Sequence, residues 1–157
     1  MHTSIDVLVV DHSDSDADIT LLAIRRAIPE VTAVHLEDGN QALQFIFCSG
    51  NYSERPPENP RLILLELDLP TINGLQVLDV VRRDRSTMDI PVVLLTSALN
   101  PSAVDCAYAL GANDYVIKPV RFEKYCAEVS RILERWLPDT EPPPGAEIDC
   151  RWSAARR

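Results

Sequence analysis

Four short apolar runs in this chain of 157 residues stop at side chains with chemistry to offer. Residues 5–10 (IDVLVV) lead into Asp11 and His12, and residues 61–67 (RLILLEL) carry Glu66, with Asp68 just beyond. Residues 90–95 (IPVVLL) run into Thr96; Asp114–Ile117 (DYVI) contains Tyr115 and runs into Lys118. If these runs lie side by side and parallel, one pocket collects two or three acids, a hydroxyl and a lysine. Carboxylates so placed hold a cation or a proton, and an ammonium pairs with an anion. One acid at the end of a run is ordinarily a solvated residue or a helix cap. All of them at matching ends is a stronger signal.

The elements that must position them alternate. A fifth run, residues 31–37, lies between the first two, and all five read as short strands buried on both faces. Ala17, Leu21, Ile24 and Ile28 recur at helical spacing, with Asp14, Asp16 and Asp18 crowding the positive end of that helix and Pro29 stopping it. Leu43, Ile46 and Phe47 mark a second helix; Leu75, Leu78 and Val81 a third, opening after Gly74. Residues 101–110 make a fourth, with Pro101 in its first turn. Phe122, Tyr125, Val129, Ile132, Leu133 and Trp136 mark a fifth. Five strand–helix alternations imply a doubly wound α/β fold around a five-stranded parallel sheet, whose functional site lies at the carboxyl ends of the strands. Residues 49–60 (SGNYSERPPENP) form a polar, Pro-rich loop.

Composition limits the alternatives. Lys plus Arg number 15 against 24 Asp plus Glu, a net charge of -9, which argues against nucleic acid because a phosphate backbone repels it. No apolar run is long enough to span a membrane and no secretory signal opens the chain, so it is expected to be cytoplasmic. Cys48, Cys106, Cys126 and Cys150 form no CxxC pair and read as reduced thiols. The third histidine, His35, falls inside the second strand, where its role is structural.

The stretches LVVDH, LLELDLPTINGLQVL, VVLLTSA and GANDYVIKPV, in this order and spacing, resemble the receiver domains of two-component response regulators. The resemblance covers residues 5–137. The long loop before the third strand and the helix ending in ERWLP are similar to receivers that partner phytochrome-type histidine kinases. It implies a flavodoxin-like receiver fold with strand order 2-1-3-4-5 and a receiver domain over residues 4–137; residues 138–157, which begin PDTEPPPGAE and show no helical or strand periodicity, read as a Pro-rich flexible tail. It implies a signalling role in a phosphorelay, with no enzymatic activity. In the family, a strand-three Asp accepts a phosphoryl group from a kinase histidine while Mg²⁺ neutralises the phosphoryl oxygens. By resemblance, Asp11 is the first acid of the metal pair, Asp68 offers a backbone carbonyl to the metal, Lys118 pairs with phosphate, and Thr96 and Tyr115 are the switch residues.

Two positions depart. The phosphoacceptor position holds Glu66, and the second metal acid is His12. Glutamate carries its carboxylate roughly 1–1.5 Å further out. An imidazole is a poor exchange for a hard oxygen donor to Mg²⁺, so a metal held by Asp11, Glu66 and the Asp68 backbone is weak or absent. The expected protein is therefore an atypical receiver acting by protein–protein contact. Glu66 could instead reach Lys118 as a standing negative charge. A conventional receiver phosphorylated at Glu66 or Asp68 is a second reading, and a small flavodoxin-like enzyme a third. Against the third, the first turn is DHSDSD and has no Gly-rich phosphate loop. Expected partners are a histidine kinase and a second copy, through the face of the fourth helix, fifth strand and fifth helix or through the tail.

Overall fold

The structure, a computed structural model, describes residues 4–97, 101–118 and 121–138. Most of the tail expected from residue 138 onward, with Cys150, lies outside the described residues. Five strands, β1 (Val7–Val10), β2 (Ala33–Leu36), β3 (Leu62–Glu66), β4 (Val92–Thr96) and β5 (Asp114–Ile117), pair in the order β2-β1-β3-β4-β5, all parallel. Each parallel step requires a crossover, and helices α1 (Asp14–Ala27), α2 (Gly39–Ile46), α3 (Gly74–Arg83), α4 (Pro101–Ala109) and α5 (Phe122–Trp136) supply them. The register aligns the functional ends: Val10 is level with Leu65, Glu66 with Leu95, and Thr96 with Ile117. Asp11, Glu66, Thr96 and Lys118 therefore share one rim.

The three inner strands are buried at every residue, as expected of a sheet covered on both faces. Alternate side chains supply two cores. Leu8, Val10, Ile63 and Leu65 pack with α2 and α3, while Val7, Val9, Leu62 and Leu64 pack with α1 and α5. The outer strands correct the sequence expectation. β2 and β5 are only partly buried, because each has one neighbour instead of two. The second helix is also differently phased: Ala42, Phe45 and Ile46 are buried, while Leu43 and Phe47 are only partly so. Gly39 fixes that phase, since a Cβ there would stand 2.5 Å from the Ile72 carbonyl oxygen. The polar loop before β3 is ordered by Arg55, which lies over the Phe45 ring and donates to the Phe45 and Ile46 carbonyls at the end of α2.

The β3–α3 connection is the tightest near the rim. Gly74 starts α3 under an Asn73–Gln76 capping box. Its Cα faces the backbone carbonyl of Glu66 so closely that no Cβ would fit. Thr71, exposed and β-branched, has φ 68°, a left-handed conformation that costs an L-residue roughly 1–2 kcal/mol. Thr71→Gly should remove that cost, offset in part by the entropy of glycine. A gain of about 0.5–1 kcal/mol in urea unfolding is expected; no gain would show that the conformation carries no strain.

Candidate functional site: the carboxyl rim of the sheet

Asp11 follows β1 directly and is completely buried. Its Oδ1 accepts from the Ser13 backbone N–H at 3.0 Å, and its carbonyl accepts from His35 Nε2 at 2.8 Å, which is the structural work of that histidine. Glu66 ends β3 and is 4% exposed. Lys118 follows β5 and reaches back across the rim. Its Nζ lies 2.6 Å from Asp11 Oδ2, 3.1 Å from Asp16 Oδ2 and 3.5 Å from Glu66 Oε1. The standing contact between Glu66 and Lys118 is thus present, but it is the longest of three.

Asp16 is the member that sequence reasoning placed only at the helix dipole. Ser13 caps α1 and accepts from the Asp16 N–H, so the first turn hangs over the rim and brings that carboxylate to Lys118. A second missed link lies beneath. Tyr125, read as part of an apolar stripe, is buried, and its hydroxyl meets Thr20 Oγ1 at 2.6 Å. Thr20 in turn donates to the Asp16 carbonyl at 3.0 Å, so Tyr125 is the donor to Thr20. This chain ties α5 to the turn that carries Asp16.

His12 is the departure with the largest geometric effect. Its Nδ1 lies 2.6 Å from Glu66 Oε2, and its backbone N–H donates to the same oxygen at 3.2 Å. The Glu66 carboxyl is thereby tied to the second residue after β1. Burial raises it above the usual carboxylate range, and the neighbouring Asp11 carboxylate adds to that rise. Burial would raise Asp11 as well, but hydrogen bonds from Glu66, Lys118 and Ser13 outweigh it and hold Asp11 low. Burial would lower Lys118; its bonds to Asp11 win and raise it. The Glu66 hydrogen bond raises His12, against its partial burial.

A raised histidine makes its contribution to stability below its unfolded value of 6.5 and loses it as pH climbs through the raised folded value. Wild type should therefore lose stability relative to His12→Gln between pH 6 and pH 8.5. The loss should stay under about 1 kcal/mol, because half of the His12 side chain is in water. Urea unfolding of both proteins at the two pH values checks it; parallel stabilities would show that the contact carries no linkage.

The other expected residues are distributed as follows. Thr96 is buried at the end of β4. Tyr115 is partly buried, edge-on to Tyr108 of α4 with ring centroids 6.1 Å apart. Asp68 is exposed, and it is not among the described carboxylates within 4.0 Å of Lys118. Pro119 lies outside the described residues.

The divalent-ion donors that the rim brings together are Asp11, His12 and Glu66, whose candidate ligand atoms all lie within 4.8 Å of one another. Mg²⁺ requires oxygen ligands in near-octahedral geometry. Two carboxylates and an imidazole, with an ammonium already paired with both carboxylates, fit that ion poorly.

Residues 7–130 match the family described as the response regulator receiver domain. The chain belongs to that family. This receiver is 30% identical over 131 residues to response regulator Rcp1 of Synechocystis sp., covering 83% of this chain and 88% of Rcp1. It is 31% identical over 131 residues to the probable methanogenesis regulatory protein FilR2 of Methanothrix harundinacea, covering 83% of each chain. Its fold superposes on the Mn(2+)-bound form of Rcp1 with a TM-score of 0.78 at 30% identity, covering 89% of this chain and 99% of that one. The phosphorylated cyanobacterial phytochrome response regulator RcpA gives 0.79 at 27% identity, over 90% and 99% of the chains. The receiver is therefore akin to phytochrome response regulators in sequence and in fold. Among its described residues no helix is long and apolar enough to cross a membrane.

Proposed function

We propose that this receiver is a stand-alone signalling module of a phytochrome-type histidine kinase pathway, working by protein contact and not by phosphoryl acceptance. The single observation that carries the reading is the 2.6 Å contact between His12 Nδ1 and Glu66 Oε2. A carboxyl at the acceptor position that is buried and hydrogen-bonded to a neighbouring imidazole and backbone N–H is a poor nucleophile. Transfer depends on in-line placement, which Glu66 lacks by about the length of a methylene. Asp68 is exposed and is not among the described carboxylates within 4.0 Å of Lys118, which speaks against its replacing Glu66. The stand-alone character is supported by the coverage: the matching segment is 88% of Rcp1. Rcp1 has been seen with Mn(2+), which supports a divalent ion as a ligand of this rim.

The test is intact mass after incubation with Mg²⁺ and acetyl phosphate, and separately with a phytochrome-type kinase and ATP. No phosphoryl adduct is expected, while the kinase is retained in a binding assay. Stoichiometric adduct that vanishes in Glu66→Gln would overturn the reading.

For self-association we propose the face of α4, β5 and α5. Tyr108 and Ile117 are exposed there, beside a groove of about 510 Å³ that runs from the β5 edge to Lys124, Glu128 and Arg131 of α5. β5 is an edge strand with an open side, which favours pairing with another chain. Sedimentation should show a dimer of the full chain that Ile117→Lys weakens at least 10-fold. A monomer at high micromolar concentration would remove the proposal.

A further inference from the structure

We propose that the hydrogen-bonded chain Tyr125–Thr20–Asp16 couples the rim to α5, so that the ion pair of Asp16 with Lys118 biases the placement of the helix offered above for self-association. The proposal rests on that contact reading and names a means of regulating it. Lys118 Nζ donates to Asp16 Oδ2 at 3.1 Å, Thr20 Oγ1 donates to the Asp16 carbonyl oxygen at 3.0 Å, and the Tyr125 hydroxyl donates to Thr20 Oγ1 at 2.6 Å. The end of β5, the first turn of α1 and the start of α5 are thereby joined. Thr20 is fully buried and Tyr125 nearly so. A buried hydroxyl that loses its partner leaves a desolvated donor behind, so the two hydroxyls move together instead of parting.

Of the three acids on Lys118, Asp16 is the one that can leave. Its side chain is 43% exposed, against 0% for Asp11 and 5% for Glu66. Water replaces the lysine at an exposed carboxylate for little cost, while Lys118 keeps its two buried partners. A cavity of about 40 Å³ bounded by Asp16, Ile19, Lys118 and Tyr125 gives the turn room to shift and a water room to enter. The first turn of α1 therefore has two arrangements, one latched to Lys118 and one released.

Packing carries the difference onward. α1 and α5 share one apolar core, to which Ala23 and Ile24 contribute from the first and Tyr125, Val129 and Leu133 from the second. Cores this dense transmit a displacement instead of absorbing it. Lys124 and Glu128 directly precede Tyr125 and Val129 in the helix and line the groove beside β5. A shift of the Tyr125 ring thus reaches the residues of the association face.

The experiment is NMR of the full chain, as a double-mutant cycle. Asp16→Asn removes the rim ion pair and keeps the side-chain shape. It is expected to move the Tyr125 ring resonances and the amide resonances of Lys124 and Glu128. In a Thr20→Val background, which lacks the linking hydroxyl, the same change should move those amides by about half as much or less. Thr20→Ser keeps the hydroxyl and should restore the full movement, which a purely structural role of Thr20 does not require. Where Thr20→Val does not fold, Tyr125→Phe cuts the same chain from its other end and is read in the same way. Amides that stay still on Asp16→Asn would overturn the proposal. Equal movement with and without the hydroxyl would overturn it too, by showing that the field of the lost charge acts directly. Every readout is taken on the chain alone, so failure here is distinguishable from failure of the contact reading, which kinase retention and sedimentation test.

Discussion

Glu66→Asp combined with His12→Asp is expected to make the protein accept phosphate from acetyl phosphate in the presence of Mg²⁺, about 100-fold faster than wild type. The first change withdraws the carboxylate by a methylene, to the length of the aspartate that the resemblance implies at this position. The second removes the imidazole that holds Oε2 and supplies the hard oxygen that Mg²⁺ requires. Each single change should recover less than the pair, because the acceptor and the ion act on the same phosphoryl group and their effects are not additive. Asp11 and Lys118 already stand in place, 2.6 Å apart, so the pair needs no further repair at the rim. Intact mass over a time course reads the result. If the double variant stays unlabelled while remaining folded, other parts of the rim have diverged as well.

Lys118→Ala is expected to cost about 3–5 kcal/mol of stability near pH 8. The lysine side chain is 10% exposed and those of Asp11 and Glu66 are 0% and 5%, so water does little to replace the lost ammonium. The cost should shrink as pH falls toward 5. Without the lysine Asp11 loses part of what holds it low and Glu66 rises further, and a proton taken up at Glu66 relieves the repulsion. Pairing Lys118→Ala with Asp11→Asn should return much of the stability at pH 8, since the buried charge that lacked a partner is then gone. Urea unfolding of the three proteins at pH 5 and pH 8 checks this; a loss below 1 kcal/mol at pH 8 would show that the three acids do not depend on Lys118.

The rim was legible in the sequence because parallel strands joined by helices leave little freedom in register. Once the apolar runs are taken as parallel neighbours, Asp11, Glu66, Thr96 and Lys118 must end near one another, and they do. Asp16 was not legible as a partner of Lys118. A carboxylate at a helix start already has a local reason to be there, and its ion pair spans 102 positions. Tyr125 was hidden in the same way: its ring satisfies the apolar stripe of α5, and only packing reveals the hydroxyl bond to Thr20. The phase of α2 was ambiguous because Leu43, Phe45, Ile46 and Phe47 crowd one short helix. A backbone contact at Gly39, not hydropathy, decides which of them face inward.

The bare Cα of Gly74 has a consequence for how the longer acid is accommodated. With Gly74 of α3 seated directly on the Glu66 carbonyl, the main chain beneath the acid has little travel on that side. An extra methylene cannot be absorbed by the main chain sinking away. It has to swing the acid group laterally, and the side that receives it is the one where His12 stands.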